Sequence, residues 1–492
     1  MPHGSADAPK HRSPEARRPT QIYTIGAILE IPGNSRSTCI LLTMPPANLR
    51  FGGGPADSTI LPLMAVSLLI ACVLILTLPR QKAIVPFLVA CFIIPLSQVV
   101  VLGSLHFSPI RILVLVALAR RASFSRRDKY PGGFNTVDRA AILWSITAVV
   151  AFFLEFPRTA AVIQGLGILA DTFGGYLAAR FLIPDGETLR RAIKVLAVIC
   201  VVEGVPMIAE QIIRINAFGY FAGVSVASAL RDGSVRASGT MGALTAGPFA
   251  GALIPLFLWL WKARKSRKIA IAGLFGATAM VVTPNSSTPL LALGGSLVGL
   301  AFWPLRKQMR LVRWALLLTL IALHLVMKAP VWALIARIDL TGSSSSWQRF
   351  QLVDMTIRHF RDWWLIGTPN YVNWGWGSWD LCNQFAAVAL TGGLVPLIFY
   401  IAIFKGSFGK IGTARKAVAG DRAKEWFLWC IGADLFSTFV SHWGMNYLGM
   451  LLMSLFVLLA MISVATSEAR QPMAQKVETQ DQEQFALAGS AV

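Results

Sequence analysis

The sequence has little charge for its length. Only 14% of its 492 residues are Asp, Glu, Lys or Arg, and the acidic residues number just 24. Soluble domains carry about 25% charged residues, because charged side chains solvate their surfaces. The composition therefore excludes a soluble globular protein of this size.

The sequence also lacks the short motifs of several common enzyme classes. It contains no Gly-rich phosphate-binding loop, no metal-binding helix motif and no nucleophile elbow. Its six cysteines show no metal-ligand spacing. We therefore expect neither a metal site nor a cofactor.

The sequence instead contains many long apolar runs. Hydrophobic residues make up 55% of the chain, and about 20 residues of apolar helix span a bilayer. The sequence predicts an all-α, polytopic transmembrane helical bundle of about 12–13 helices. The apolar runs are 60–78, 83–102, 108–120, 138–154, 159–181, 189–213, 241–261, 269–283, 286–303, 312–329, 385–404, 425–440 and 446–465.

The net charge of +21 does not indicate a nucleic-acid partner. The Lys and Arg residues form short clusters between apolar runs, and these clusters alternate with linkers that are long or nearly free of basic residues. Cytoplasmic loops of membrane proteins carry such an excess. The basic linkers predicted to be cytoplasmic lie near 80–82, 120–129, 180–194, 262–268, 306–313 and 405–424.

This pattern divides the chain into five parts. We expect a disordered N-terminal tail, ten transmembrane helices, one large outward loop, three further helices and a cytoplasmic tail. Thirteen helices would place the basic N-terminal tail outside, so either that tail is translocated or one helix is miscounted, for instance because part of 21–43 re-enters the membrane. The corresponding boundaries are 1–58, 59–329, 330–384, 385–465 and 466–492.

The large loop is rich in tryptophan. Trp rings pack on sugar rings, and they also sit at the headgroup level of membranes. Either an interfacial belt or a sugar-binding surface fits this composition, and we expect Trp374 and Trp376 to contact substrate. The seven are Trp332, Trp347, Trp363, Trp364, Trp374, Trp376 and Trp379.

Basic and titratable residues in the same region supply candidate chemistry. Residues 347–364 have the apolar spacing of an amphipathic helix that carries Arg349 and Arg358. Guanidinium groups bind phosphate oxygens bidentately, although pairing with nearby aspartates is an alternative. His359 and Asp380 are the candidates for acid–base work.

Three stretches carry a family resemblance. They read RASGTMGALTAGPFAGALIPL at 236–256, TPNSSTPLLAL at 283–293, and Trp-Gln-Arg followed by LIGTPN and DLCNQFAAVALTGGLVPLIFYI within 346–404. Together they resemble the superfamily of bacterial O-antigen ligases and O-antigen polymerases. The resemblance covers about 236–404.

The resemblance implies glycosyl transfer at the periplasmic face of the bacterial inner membrane. The donor would be a glycan on undecaprenyl pyrophosphate, and the acceptor a lipid or glycan hydroxyl, without a metal. Arg236 and Arg349 would hold the pyrophosphate, and Asn383 matches a substrate-binding position. Cys382 stands where ligases have His, so Asp380 or His359 would activate the acceptor. The turn at 285–287 lacks the family's Arg.

A transporter or flippase of lipid-linked oligosaccharide is the alternative. Such a protein needs a polar cavity near the membrane midplane. The acidic residues within or beside apolar runs that would line it are Asp171, Glu203, Glu210 and Asp434.

Overall fold

A computed structural model describes most of the chain outside its termini. The predicted N-terminal tail lies outside the described residues except for Ser58, as do Trp376 and the end of the predicted cytoplasmic tail. The described residues are 58–103, 105–124, 130, 133–157, 159–231, 233–262, 266–337, 345–375 and 377–470.

Helices dominate the described chain, and four short strands form two antiparallel hairpins. The α-helices are α1 Pro62–Thr77, α2 Arg80–Ile93, α3 Pro109–Ala122, α4 Thr136–Glu155, α5 Thr159–Leu169, α6 Gly175–Leu182, α7 Gly186–Ile213, α8 Gly219–Ala222, α9 Ala246–Lys262, α10 Arg267–Val282, α11 Ser287–Ala301, α12 Met309–Val326, α13 Leu334–Arg337, α14 Ser345–Arg358, α15 Phe360–Trp363, α16 Gln384–Gly392, α17 Leu394–Ala417, α18 Arg422–Ser441 and α19 Met450–Glu468. A π-helical turn, Ala170–Gly174, joins α5 to α6, and 3-10 turns span Val331–Ala333 and Pro369–Asn373. The strands are β1 Val100–Leu102, β2 Leu105–Phe107, β3 Ala229–Arg231 and β4 Ser234–Arg236.

Six described helical stretches are long and apolar enough to cross a membrane. Three shorter helices, α1, α9 and α11, are also apolar. The mostly helical character predicted from the sequence is thereby confirmed, with six stretches that have the length and hydropathy of membrane-spanning helices. The six stretches are Thr136–Glu155, Ala161–Leu182, Gly186–Ile213, Met309–Val326, Leu394–Ala417 and Met450–Glu468.

Three predicted helices differ from those observed. The run 83–102 was expected to be helical throughout, but α2 ends at Ile93, because a residue before proline disfavours the helical conformation and Pro95 follows Ile94. The run 385–404 divides at Gly393, whose φ of +83° favours glycine. The amphipathic helix predicted over 347–364 breaks at His359 into α14 and α15.

Small residues let the central helices pack closely. A side chain at Gly204 of α7 would meet the backbone of Gly276 in α10, so the two helices touch through their main chains. Gly295 and Gly299 of α11 approach Ser437 and Ala433 of α18 in the same way. Membrane helices use small residues for such contacts. This packing fixes α10 and α11, and therefore the turn between them.

Helix α12 has the opposite character. None of its side chains is buried, and residues such as Leu325 and Val326 are largely exposed. Its length and hydropathy are those of a membrane-crossing helix. The apolar side chains of α12 therefore face the surroundings of the bundle rather than its core.

Candidate functional site

The turn between α10 and α11, residues 283–288, is the centre of the candidate site and is called the arginine turn below. Asn285 adopts a positive φ of +47°, a conformation that asparagine tolerates better than other side-chain-bearing residues. Its side-chain amide donates to the carbonyl oxygen of Val235 at 2.7 Å. Gln211 of α7 donates to the same carbonyl oxygen at 2.8 Å and also to the carbonyl oxygen of Thr283 in the turn. These bonds fasten the arginine turn to β4.

Arg236, the last residue of β4, lies beside this turn. Its Nε donates to the carbonyl oxygen of Pro284 at 3.4 Å, and the next backbone amide, at Ala237, donates to Thr283 at 3.2 Å. The side chain of Arg236 is half-buried. The predicted phosphate-binding arginine is thus attached to the arginine turn.

Two buried carboxylates of α7 hold the segment that follows Arg236. Glu210 accepts hydrogen bonds from the backbone amides of Ser238 at 3.0 Å and Gly239 at 3.2 Å. Glu203 accepts from the backbone amide of Thr240 at 2.9 Å. These acidic residues of an apolar helix therefore satisfy buried backbone donors, which would otherwise destabilise the fold.

Arg349 of α14 reaches the arginine turn from the other side. Its side chain is buried, and its Nη1 and Nη2 donate to the hydroxyl oxygens of Ser287 at 3.0 Å and Thr288 at 2.9 Å. Its Nε donates to the carbonyl oxygen of Gly444 at 3.2 Å. Both predicted phosphate-binding arginines thus contact the same six-residue turn. Two positive charges are therefore held next to the arginine turn.

Asp380 lies near the same end of α14. The side-chain amide of Gln348, the residue before Arg349, donates to Oδ2 of Asp380 at 3.2 Å. Desolvation raises the pKa of the Asp380 carboxyl above its usual range, and the Gln348 hydrogen bond and the charge of Arg349 only partly oppose that rise. A carboxylate with a raised pKa beside the fixed charge of Arg349 can accept a proton.

Cys382 and Asn383 follow within the same segment. Desolvation, with a smaller contribution from the Asp380 charge, raises the pKa of the Cys382 thiol to about 12, so this thiol stays protonated at neutral pH. Asn383 caps α16 by accepting from the amide of Phe385 at 2.9 Å. Its buried Nδ2 makes no hydrogen bond within the described part of the chain.

The loop between α18 and α19, residues 442–449, joins these groups. Gln384 donates through its backbone amide to the carbonyl oxygen of His442, and its side chain accepts from the amide of Tyr447 at 2.6 Å. Arg349 binds Gly444 in the same loop. The loop 442–449 therefore holds the first turns of both α14 and α16 in place.

His359 lies at the far end of α14. Its ring stacks on Trp374, with 4.3 Å between ring centroids and 10° between ring planes, and its Nδ1 lies 2.9 Å from Oδ2 of Asp362. Gln348 and His359 are eleven positions apart in mainly helical chain, or about 16 Å of helix at 1.5 Å per residue. The two predicted acid–base groups, His359 and Asp380, are therefore not brought together.

Arg358 is also engaged elsewhere. Its Nε pairs with Oδ2 of Asp354 at 2.7 Å, while Oδ1 of that carboxylate accepts from the indole of Trp332 at 3.0 Å. The Arg358 side chain is mostly exposed. Arg358 is the last residue of α14, directly before His359.

The loop tryptophans divide into buried and exposed rings. Trp363 is buried and donates to the carbonyl oxygen of Thr356 at 2.7 Å. Trp347 and Trp379 are 56% and 57% exposed, and each immediately precedes one partner of the Gln348–Asp380 hydrogen bond. The exposed rings next to the Gln348–Asp380 hydrogen bond are thus Trp347 and Trp379, whereas Trp374 is stacked on His359.

Sequence reasoning missed several members of this site. Ser287 and Thr288 stand in the TPNSSTP stretch, where the run of hydroxyl side chains at the start of a helix was a usable signal. Gln348 stands directly beside Arg349, and its role follows only from the position of Asp380. The carbonyl of Gly444 carries no sequence signal, because every residue has one.

Within the described residues, no group of three or more His, Cys, Asp or Glu side chains is placed to hold a metal ion. The positive charge of the site is supplied by guanidinium groups. No protein-family model matches the chain, and no curated protein matches it either.

Proposed function

We propose that the chain is a metal-independent glycosyltransferase that polymerises or ligates surface polysaccharide. It moves a glycan from undecaprenyl pyrophosphate to an acceptor hydroxyl at the periplasmic face of the bacterial inner membrane. The observation that carries the proposal is the attachment of Arg236 and Arg349 to the arginine turn. A pyrophosphate leaving group needs this kind of fixed positive charge.

The proposed reaction is a displacement at the anomeric carbon. The acceptor oxygen forms the new glycosidic bond, the bond from the anomeric carbon to the pyrophosphate oxygen breaks, and the acceptor proton passes to Asp380. Arg236 and Arg349 stabilise the charge that develops on the departing pyrophosphate. Because Arg349 is already held at the arginine turn, little reorganisation accompanies that charge development.

Asp380 is the better candidate for accepting the proton. It lies at the Arg349 end of α14, whereas His359 lies at the other end and stacks on Trp374. The raised pKa of Asp380 strengthens it as a base relative to an ordinary aspartate. Trp347 and Trp379, which are exposed beside it, supply flat faces for sugar rings.

The proposed placement in the membrane follows the charged linkers. The arginine turn stands at the start of α11, and the basic linker that begins at Arg306 follows the end of the same helix. Basic linkers favour the cytoplasm. Helix α12 starts at this basic linker and crosses back. We therefore assign residues 330–384, which follow α12, to the periplasmic side of a bundle of about 12–13 helices.

A transporter finds less support. Of its four candidate carboxylates, Glu203 and Glu210 bind backbone amides, and Asp171 pairs with Arg111 at 2.6 Å. Asp434 lines a small cavity with Thr438 and otherwise mainly apolar side chains. Glu203 and Glu210 thus hold one segment, while Asp171 and Asp434 lie in two other local structures, so the four carboxylates do not line one polar cavity within the described residues.

The proposal is tested by incubating the purified protein with a lipid-linked oligosaccharide and measuring released undecaprenyl pyrophosphate and product length. Arg236→Gln and Arg349→Gln should abolish release while the protein still inserts and folds. Arg349→Lys, which keeps the charge but loses the bidentate geometry, should retain a small part of the activity.

Arg361→Gln is the matched control, because it removes an exposed arginine from the same loop. A product ladder identifies a polymerase, and a single capped product identifies a ligase. Normal release by both Arg236→Gln and Arg349→Gln would overturn the assignment, and movement of the lipid without release would favour transport.

A further inference from the structure

A second cationic cluster lies at the other end of α11 from the arginine turn. Its members come from the ends of α9, α11 and α17 and from the start of α18, about 22 Å from Ser287 at 1.5 Å per helical residue. We call it the tryptophan–arginine cluster. It consists of Lys262, Trp303, Arg306, Arg415, Glu425, Trp426 and Trp429.

The cluster has an excess of positive charge. Arg306 Nε and Arg415 Nη2 both lie 3.3 Å from the same carboxylate oxygen, Oε1 of Glu425. With Lys262 there are three cationic side chains to one carboxylate, which leaves an excess of two positive charges. All four charged groups are positioned by the helix ends, so the excess is a fixed feature of this surface.

Each cation also lies over an indole ring. The guanidinium carbon of Arg306 is 4.2 Å from the ring centroid of Trp303, and that of Arg415 is 4.6 Å from Trp429. The ammonium of Lys262 is 4.0 Å from the ring centroid of Trp426. Tryptophan rings are enriched at the headgroup level of membranes. Cations paired with tryptophan rings at the ends of apolar helices therefore suit a position at the headgroup level.

Three buried donors of the cluster are left without an acceptor. Within the described residues, Nε of Arg306, Nε of Arg415 and Nε1 of Trp426 make no hydrogen bond. Nε of Arg306 faces Glu425 at ion-pair distance but without hydrogen-bond geometry. Buried donors without acceptors are costly, and cationic ones more so. An anion with several oxygens would satisfy donors that this part of the chain does not.

We propose that the tryptophan–arginine cluster binds the phosphate of an acidic phospholipid headgroup. The shared chemistry is a phosphate anion, and the interfacial tryptophans at the ends of apolar helices favour a lipid as its source. Lys262 is exposed and provides the first contact, after which the headgroup oxygens engage the guanidinium groups by small side-chain movements. The inference does not depend on the proposed glycosyl transfer.

The test uses the full chain in nanodiscs of phosphatidylcholine with or without phosphatidylglycerol. Phosphatidylglycerol should raise the melting temperature, and native mass spectrometry should detect a retained phosphatidylglycerol molecule. Lys262→Gln should weaken that retention about fivefold, the loss expected when one cation that contacts the headgroup is removed. Arg415→Gln should weaken it further, provided that the variant still folds, which circular dichroism establishes.

Lys307→Gln is the matched control, since it removes an exposed cation adjacent to Arg306 but outside the cluster. It should leave retention unchanged. Equal melting temperatures in the two lipid compositions, or equal effects of Lys262→Gln and Lys307→Gln, would overturn the proposal. Inorganic phosphate added to phosphatidylcholine nanodiscs should have no effect; equal stabilisation by free phosphate would overturn the lipid as its source.

Discussion

Nη1 of Arg349 lies 3.0 Å from the hydroxyl oxygen of Ser287, a residue 62 positions earlier in the chain. The bond ties a helix of the large loop to the start of a helix in the bundle. Together with the Thr288 bond it fixes the guanidinium before any substrate arrives. Catalytic electrostatics depends on such preorganisation, so disturbing this contact is the most direct way to probe the site.

Replacing Ser287 with alanine should reduce the rate of undecaprenyl pyrophosphate release. Hydrogen bonds to charged groups contribute about 1.5–3 kcal/mol, so the expected loss is roughly tenfold or more. Ser286→Ala, which removes the neighbouring hydroxyl, is the matched control and should leave the rate unchanged. Equal rates in the two variants would contradict the role given to Ser287.

Replacing Glu210 with glutamine should loosen the segment after Arg236. The variant loses charge-assisted bonds to the amides of Ser238 and Gly239, a cost of about 1–3 kcal/mol. We expect a lower melting temperature and faster hydrogen exchange at those amides. Glu187→Gln makes the same change on an exposed turn and should do neither. Unchanged exchange in Glu210→Gln would refute the bracing role.

Replacing Gly204 with valine should separate α7 from α10. The added side chain meets the backbone of Gly276, and overpacking of this kind costs about 1–3 kcal/mol. The expected readout is a lower melting temperature in detergent. Gly294→Ala is the control, because no atom lies within 4 Å of the added carbon there. That variant should be neutral or stabilising, since alanine is the better helix former.

The pH dependence of activity should report Asp380. As the proposed base, Asp380 must be ionised, so activity should fall as the pH drops through its pKa, and desolvation raises that pKa. The acidic limb of the pH–rate profile should therefore lie above the range of an ordinary aspartate. Asp380→Asn should abolish most activity and remove that limb. A limb that persists in the variant would assign it to another group.

The same raised pKa has a consequence for stability. A carboxyl whose pKa is higher in the folded than in the unfolded chain binds its proton more tightly when folded. Its contribution to stability is then fully present below the unfolded pKa and is lost as the pH rises through the folded pKa. Asp380→Asn should therefore reduce the loss of stability over that window, as measured by melting temperature against pH.

Replacing Cys382 with serine should leave the activity nearly intact. The pKa of the thiol is raised to about 12, so it remains protonated at neutral pH and does not act as a base. Labelling by iodoacetamide near pH 8 should be slow for the same reason. Rapid labelling, or inactivity of Cys382→Ser with normal folding, would show that the thiolate takes part in the reaction.

Most of the helices could be predicted from the sequence, because a long apolar run rarely forms any other structure. The exceptions depend on local backbone chemistry: Pro95 stops α2, and Gly393 divides the run that begins at 385. The membrane-spanning character followed from composition. The ends of the helices are predictable from the sequence only where a capping residue or a proline marks them within the apolar pattern.

The candidate site was predictable only in part. Arg236 and Arg349 could be chosen from their positions, but their meeting at one turn depends on how α10, α11 and α14 pack. Sequence shows that Glu203 and Glu210 are acidic residues in an apolar helix, yet not that they bind amides of a distant segment. Partners far apart in sequence, and backbone acceptors, leave no pattern to find.

The amino-acid sequence of helix α12 is only weakly constrained by packing. None of its side chains is buried, so within the described residues packing constrains few of its positions beyond length and hydropathy. His324 is an exception, because it stacks on Trp332 and accepts from the amide of Val331. Leu, Ile, Val and Phe should exchange there at almost no cost. Among chains of this architecture, divergence should therefore accumulate fastest in Met309–Val326, while the glycines of α7, α10 and α11 change most slowly.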